Sequence, residues 1–156
     1  MRAVPGDVPA LPWRYRPLGA RLTVGVMAPV LVCTLGLVFW SMPARVRDQF
    51  SALQSATLLL VLAVALVALW GVFRTVVRAD ERGLTIVNVY RVRRLEWAQV
   101  LTVGLRPGDP WAVLDVDDGT VVKVMAIQGS DGARARRATR QLRALVDQRT
   151  VTSRDD

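Results

Sequence analysis

Two uninterrupted apolar runs near the start of the chain, Leu22 to Met42 and Ala56 to Phe73, restrict its fold more than any other feature. The first has 21 residues, with Thr23, Thr34 and Ser41 polar; the second has 18, with Thr57 polar, and neither carries a charge. At about 1.5 Å per residue they reach about 31 and about 27 Å, close to a hydrocarbon core of about 30 Å. The second run holds six Leu, four Val and one Phe. At roughly −0.3 to −0.6 kcal/mol each they favour insertion by about 3 to 7 kcal/mol, unopposed by any charge. A hairpin buried in a soluble fold would carry a polar stripe at helical period, and neither run does. A cleaved signal peptide fits no better. The first run is too long, starts only at residue 22, is followed by no small-residue cleavage pattern and leads at once to the second. The expected anchor is a transmembrane hairpin over residues 22–73, with helices at 22–42 and 56–73.

Arginines close to the runs give an orientation. Arg14, Arg16 and Arg21 precede the first run and Arg74, Arg78 and Arg82 follow the second, whereas the connecting loop holds Arg45 and Arg47. The positive-inside rule then places both termini in the cytoplasm, with the loop from Pro43 to Ser55 outside, in a multi-pass plasma-membrane protein. The net charge of +8 divides as +3 before the first run, +1 in the loop and +4 after the second run. That is a membrane-proximal basic balance rather than a nucleic-acid patch. Trp13, Tyr15, Trp40 and Trp70 lie near the ends of the runs, where amphipathic rings act as interfacial anchors. The single Cys33 excludes an intramolecular disulfide.

The 83 residues after Phe73 suffice for one small domain. Short strand-like runs alternate with turn signals: Thr75 to Ala79, Leu84 to Val89, Leu95 to Trp97, Leu101 to Arg106, Trp111 to Val116 and Thr120 to Ile127. The turns between them fall at 80–83, 90–93, 107–110 and 117–119. Helical spacing begins only near the end. Ser130 or Asp131 is placed to cap a helix whose Ala135, Ala138, Leu142, Leu145 and Val146 share one face, with Arg136, Arg140 and Arg143 on the outward face. The domain is expected over residues 74–149, after a cytoplasmic segment 1–21 and before a polar tail 150–156.

A meander closed by one C-terminal helix has the architecture of a pleckstrin-homology (PH) domain. The chain resembles the bacterial PH-domain families, most closely the membrane-anchored actinobacterial low molecular weight protein antigen 6 type. The resemblance is carried by Arg78-Ala79-Asp80-Glu81-Arg82-Gly83-Leu84, Asn88, Leu95-Glu96-Trp97-Ala98-Gln99-Val100, Asp118-Gly119-Thr120 and Ala126-Ile127-Gln128. It implies an α+β protein: the helical hairpin, then a PH-like antiparallel β-sandwich or barrel of six to seven strands with a C-terminal α-helix. It also implies a noncatalytic interaction module. Eukaryotic phosphoinositide binders carry basic residues in the first hairpin loop; here that loop is the acidic Asp80-Glu81-Arg82-Gly83, so phosphoinositide recognition is not carried over.

The residue inventory argues against an enzyme as well. The chain has no His, hence no ordinary base near neutral pH and no His-ligated metal, and it has no Walker or dinucleotide motif. No cofactor, metal site or nucleic-acid partner is expected. Asp115, Asp117 and Asp118 read as turn chemistry ahead of a cation site.

If strands and turns alternate from Arg74 onward, the acidic turns point away from the membrane and the Arg91–Arg94 turn points towards it. Arg74, Arg78, Arg91, Arg93 and Arg94 would then meet anionic headgroups, at about 1 kcal/mol each, or would serve only as a solvated face. The leading expectation is a scaffold that recruits a protein partner, through a sheet edge or the Arg136, Arg140 and Arg143 face. The alternative is anionic-lipid sensing through the membrane-facing arginines.

Overall fold

The computed structural model describes residues 8–152 and divides into two compact units. One unit is continuous, from Ala20 to Phe73. The other joins the described residues up to Gly19 with those from Arg74 onward. The segment ahead of the apolar runs, expected to stand apart, is therefore part of the domain that follows them.

The continuous unit contains most of α1 (Leu18–Ser41), a short α2 (Ala44–Arg47) and α3 (Ala52–Phe73). Both long helices start four residues before the apolar runs do. For α3 the reason is a capping box: Ser51 Oγ accepts from the Gln54 N–H while Gln54 Oε1 accepts from the Ser51 N–H. Both helices are long and apolar enough to cross a membrane, with mean hydropathies of 2.3 and 2.6. Only 6% of each apolar window is buried, so these are not core helices of the fold. Aromatic contacts tie their ends. The Arg21 guanidinium lies 4.4 Å from the Phe73 ring centroid, and Phe39 meets Phe50 edge-on at 6.4 Å.

Seven strands and one long helix form the other unit. Sheet A has the order β1 (Trp13–Tyr15), β2 (Val76–Asp80), β3 (Gly83–Asn88), β4 (Arg91–Glu96), all antiparallel. A 3₁₀ turn at Trp97–Gln99 leads into sheet B, ordered β5 (Val100–Gly104), β6 (Trp111–Val116), β7 (Val121–Gln128). The helix α4 (Ala133–Thr152) follows. The sequence alone shows six strands; the seventh precedes the apolar helices, where β1 pairs Trp13 with Ala79 and Tyr15 with Val77.

Alternation sets the core. Val77, Leu84, Ile86 and Leu95 of sheet A face Val103, Leu114 and Val124 of sheet B, and the expected stripe of α4 from Ala135 to Val146 closes the layer. Trp97 is buried and its Nε1 donates to the Asp80 carbonyl at 3.0 Å. Trp13 is not the interfacial anchor that its place in the sequence suggests. It is only 9% exposed, lies in the same core, and donates from Nε1 to Gln141 Oε1 of α4 at 3.3 Å. Gly83 is the one residue that fits its place, because a Cβ there would stand 2.1 Å from the Leu95 carbonyl oxygen.

Truncation of a buried Trp costs about 3 to 5 kcal/mol. Trp13→Ala is therefore expected to lower domain stability by about that amount, measured by denaturant unfolding of the full chain in detergent micelles. Trp40→Ala, at a site 80% exposed, should leave domain unfolding unchanged. Equal effects of the two substitutions would deny β1 a place in the core.

Candidate functional site

The five arginines expected to act together separate into groups once the strand register is known. The hairpin turn is Val89–Tyr90, and Arg91, Arg93 and Arg94 lie on strand β4 instead of in the turn. Successive residues of a strand face opposite ways. Arg91 and Arg93 therefore share the side of buried Leu95, and Arg94 points to the other face.

On that outer face, cross-strand partners line up in three rows. Val76, Val87 and Val92 form the first. Arg14, Arg78, Thr85 and Arg94 form the second, with Arg14 directly opposite Arg78. Asp80, Gly83 and Glu96 form the third. All three arginines of the middle row are exposed. Arg14 was not among the expected site residues, since only the pairing of β1 brings it here. Its signal in the sequence is the alternation Trp13-Arg14-Tyr15, too short to be read as a strand by itself.

Both carboxylates of the third row are turned to backbone. Asp80 Oδ1 accepts from the Arg82 and Gly83 N–H groups at 2.9 and 3.1 Å. Glu96 caps the 3₁₀ turn, its side chain accepting from the Gln99 N–H while Gln99 Oε1 accepts from the Glu96 N–H. The first row lies at the end of the sheet where the chain enters from α3. There the Thr75 Oγ1 accepts from the Val89 N–H at 3.3 Å. Val89 has φ of 58°, a strained value for a β-branched residue. Tyr90 is 51% exposed at this tip, and exposed Arg74 lies at the same end.

Arg93 belongs to another neighbourhood. It helps lower the Asp118 carboxyl pKa, an effect due first to hydrogen bonds from Thr120, whose N–H and Oγ1 lie 2.8 and 2.6 Å from Asp118 Oδ1. The acidic Asp117-Asp118-Gly119 turn is thus a hairpin turn, held on one side by the Gly119 N–H bonded to the Val116 carbonyl. Within sheet A the turn after Asp80 and the turn at Val89–Tyr90 lie at opposite ends of the strands. Beyond the corner at Trp97, the Asp118 turn of sheet B lies within electrostatic reach of Arg93 on β4.

On α4, Arg136, Arg140 and Arg143 are all exposed. Arg143 also has a partner within the fold: its Nε donates to the Val103 carbonyl at 2.9 Å, and Nη2 to the same oxygen. This occupies one carbonyl on the open edge of β5. Asn88 does the same for β7, its amide donating to the Lys123 carbonyl and its Oδ1 accepting from the Met125 N–H. Trp111 is half-buried beneath the Lys123 ammonium, 5.8 Å from its ring.

Asp131 does not cap α4 as its position suggests. Its carboxylate accepts from the Leu18 and Gly19 N–H groups at 3.3 Å each, in the first turn of α1, and from the Tyr15 hydroxyl at 3.1 Å. This network fixes the end of β1 and hence the place of Arg14. Among the described residues, no group of three or more Cys, Asp or Glu side chains is placed to hold a metal ion.

Residues 74–145 match the bacterial PH domain family. The PH-like fold, with sheets of four and three strands and a C-terminal helix, follows from that match and from the topology. The matched stretch begins at Arg74, so β1 lies outside it. The chain is also similar to proteins of Mycobacterium tuberculosis and Mycobacterium bovis, each named only as an uncharacterized protein, with 35% identity over 69 residues. That alignment spans 44% of this chain and 45% of each relative. No solved structure matches the chain.

Burial, followed by the charge and hydrogen bond of Asp131, pushes the Tyr15 pKa up to about 12 from 10.0, against the opposing charge of Arg134. A folded-state pKa above the unfolded one gives stability that is complete below pH about 10 and is lost as pH rises towards about 12. Tyr15→Phe should therefore show a smaller loss of domain stability over that alkaline interval than the parent chain, in denaturant titrations at matched pH. Parallel losses would show that Tyr15 does not ionise from this environment.

Proposed function

We propose that the chain is a noncatalytic, membrane-anchored PH-like interaction module that holds its domain at the cytoplasmic face and recruits a partner there. The observation that carries this reading is the pairing of β1 with β2. Strands hydrogen-bonded to each other lie on one side of a bilayer, and these two flank the pair of long apolar helices. A hairpin that crosses twice satisfies that requirement; a single crossing does not. The arginines outside the hairpin, three on each flank against two in the loop, support the cytoplasm as the shared side.

Both links between domain and hairpin are short: residues 16–17 on one flank and 74–75 on the other. Two residues reach about 7 Å when extended, so the domain works at the membrane surface. Tethering raises the effective concentration of whatever the domain binds there, without new contacts. A protein partner with an acidic surface would be met by Arg136 and Arg140 of α4. The rows on the outer face of sheet A favour a second class of ligand, anionic lipid headgroups.

Cysteine accessibility in a Cys33→Ala background tests the topology. With Arg45→Cys, a membrane-impermeant maleimide should label intact cells. With Val8→Cys or Ser130→Cys, labelling should need permeabilised cells. Labelling of residue 8 or 130 from outside would overturn the orientation, and opposite sides for those two positions would overturn the double crossing.

A further inference from the structure

We infer that the outer face of sheet A reads anionic phospholipid headgroups, with Arg14, Arg78 and Arg94 as the phosphate-contacting residues and Thr85 among them as a neutral donor. This rests on the anchored reading above and names the ligand class of that module.

The order of the rows carries the argument. Moving away from the end where α3 delivers the chain, the face is apolar at exposed Val92 and half-buried Val87, beside buried Val76, then cationic at Arg14, Arg78 and Arg94, then anionic at Asp80 and Glu96. Rows two residues apart are separated by about 6.6 Å. The sequence of chemistry matches the depth profile of a bilayer surface: apolar boundary, phosphate layer, water. An acidic protein surface would reward the positive charge but has no use for that order.

Energetics of the unliganded face point the same way. Like charges directly opposite on neighbouring strands are destabilising, and Arg14 stands opposite Arg78. The carboxylates nearest to them, Asp80 and Glu96, already accept backbone N–H groups. A row of phosphates would add counter-charge directly at the arginines. Three strand spacings of about 4.8 Å give the row a width of about 14 Å, enough to touch more than one headgroup. At the leading end, exposed Tyr90 and Val92 suit the interfacial region, and exposed Arg74 lies at the same end.

The test uses the full chain in lipid nanodiscs, either phosphatidylcholine alone or phosphatidylcholine mixed with phosphatidylglycerol. A nitroxide on Val92→Cys, in a Cys33→Ala background, reports depth through its collisions with an aqueous nickel reagent and with oxygen. The expected result is a severalfold loss of nickel accessibility in anionic discs relative to neutral ones. Molar salt should reverse it, and so should Arg14, Arg78 and Arg94 all changed to Glu. Arg94→Glu alone, on the sheet edge, should weaken the shift and serves if the triple variant fails to fold by circular dichroism. Equal accessibility in the two lipids would overturn the inference, as would a shift that survives the charge reversals. A label on native Cys33 separates the two readings. Oxygen-rich, nickel-poor collisions there in both discs keep the anchor even when the headgroup inference fails; nickel access at Cys33 removes the anchor itself.

Discussion

The burial of Trp13 and the three-residue pairing that it secures govern the rest of the domain. A strand of three residues is marginal on its own account. It holds because Trp13 enters the common core and bonds Gln141, and because Tyr15 bonds Asp131. Through this strand the chain on either side of the apolar helices becomes one folded unit. The same pairing puts Arg14 against Arg78 and brings Asp131 to the first turn of α1. Register, charge pattern and helix capping thus depend on a single aromatic side chain that lies outside the stretch shared with the bacterial PH family.

Arginine does several different jobs in this structure, and position alone separates them. Arg143 bonds a carbonyl on the open edge of β5. Arg149 forms an ion pair with Glu81 at 2.8 Å, Glu81 exposed and Arg149 partly so, where such pairs contribute little. Arg93 adds to the lowering of the Asp118 carboxyl pKa that the Thr120 hydrogen bonds dominate. The middle row of sheet A has no such internal duty in its register. A count of basic residues therefore says little about binding; the face on which each one lands says more.

Much of the domain was legible from period and punctuation. The strands β2, β3, β6 and β7 lie close to their expected places because apolar and polar residues alternate between turn residues such as Asp118-Gly119. The stripe on α4 from Ala135 to Val146 is buried as its spacing requires. Local misreadings have local causes. The capping box of Ser51 and Gln54 extends α3 ahead of its apolar run. The turn at Val89–Tyr90 uses a β-branched residue at positive φ, where turn preferences point elsewhere.

By itself the sequence determined the two long apolar helices, a β-rich domain after them and a final amphipathic helix. Each of these is written in the hydrophobicity of adjacent residues, which the chain samples without reference to distant partners. Only the tertiary structure decided that a seventh strand comes from the other side of the apolar helices, that Asp131 serves α1 instead of α4, and which arginines share a face. The place of β1, the role of Asp131 and the addition of Arg14 to the row turn on contacts between residues more than sixty positions apart. Strand register across such a gap is set by what the core can bury, and no local pattern of residues encodes it.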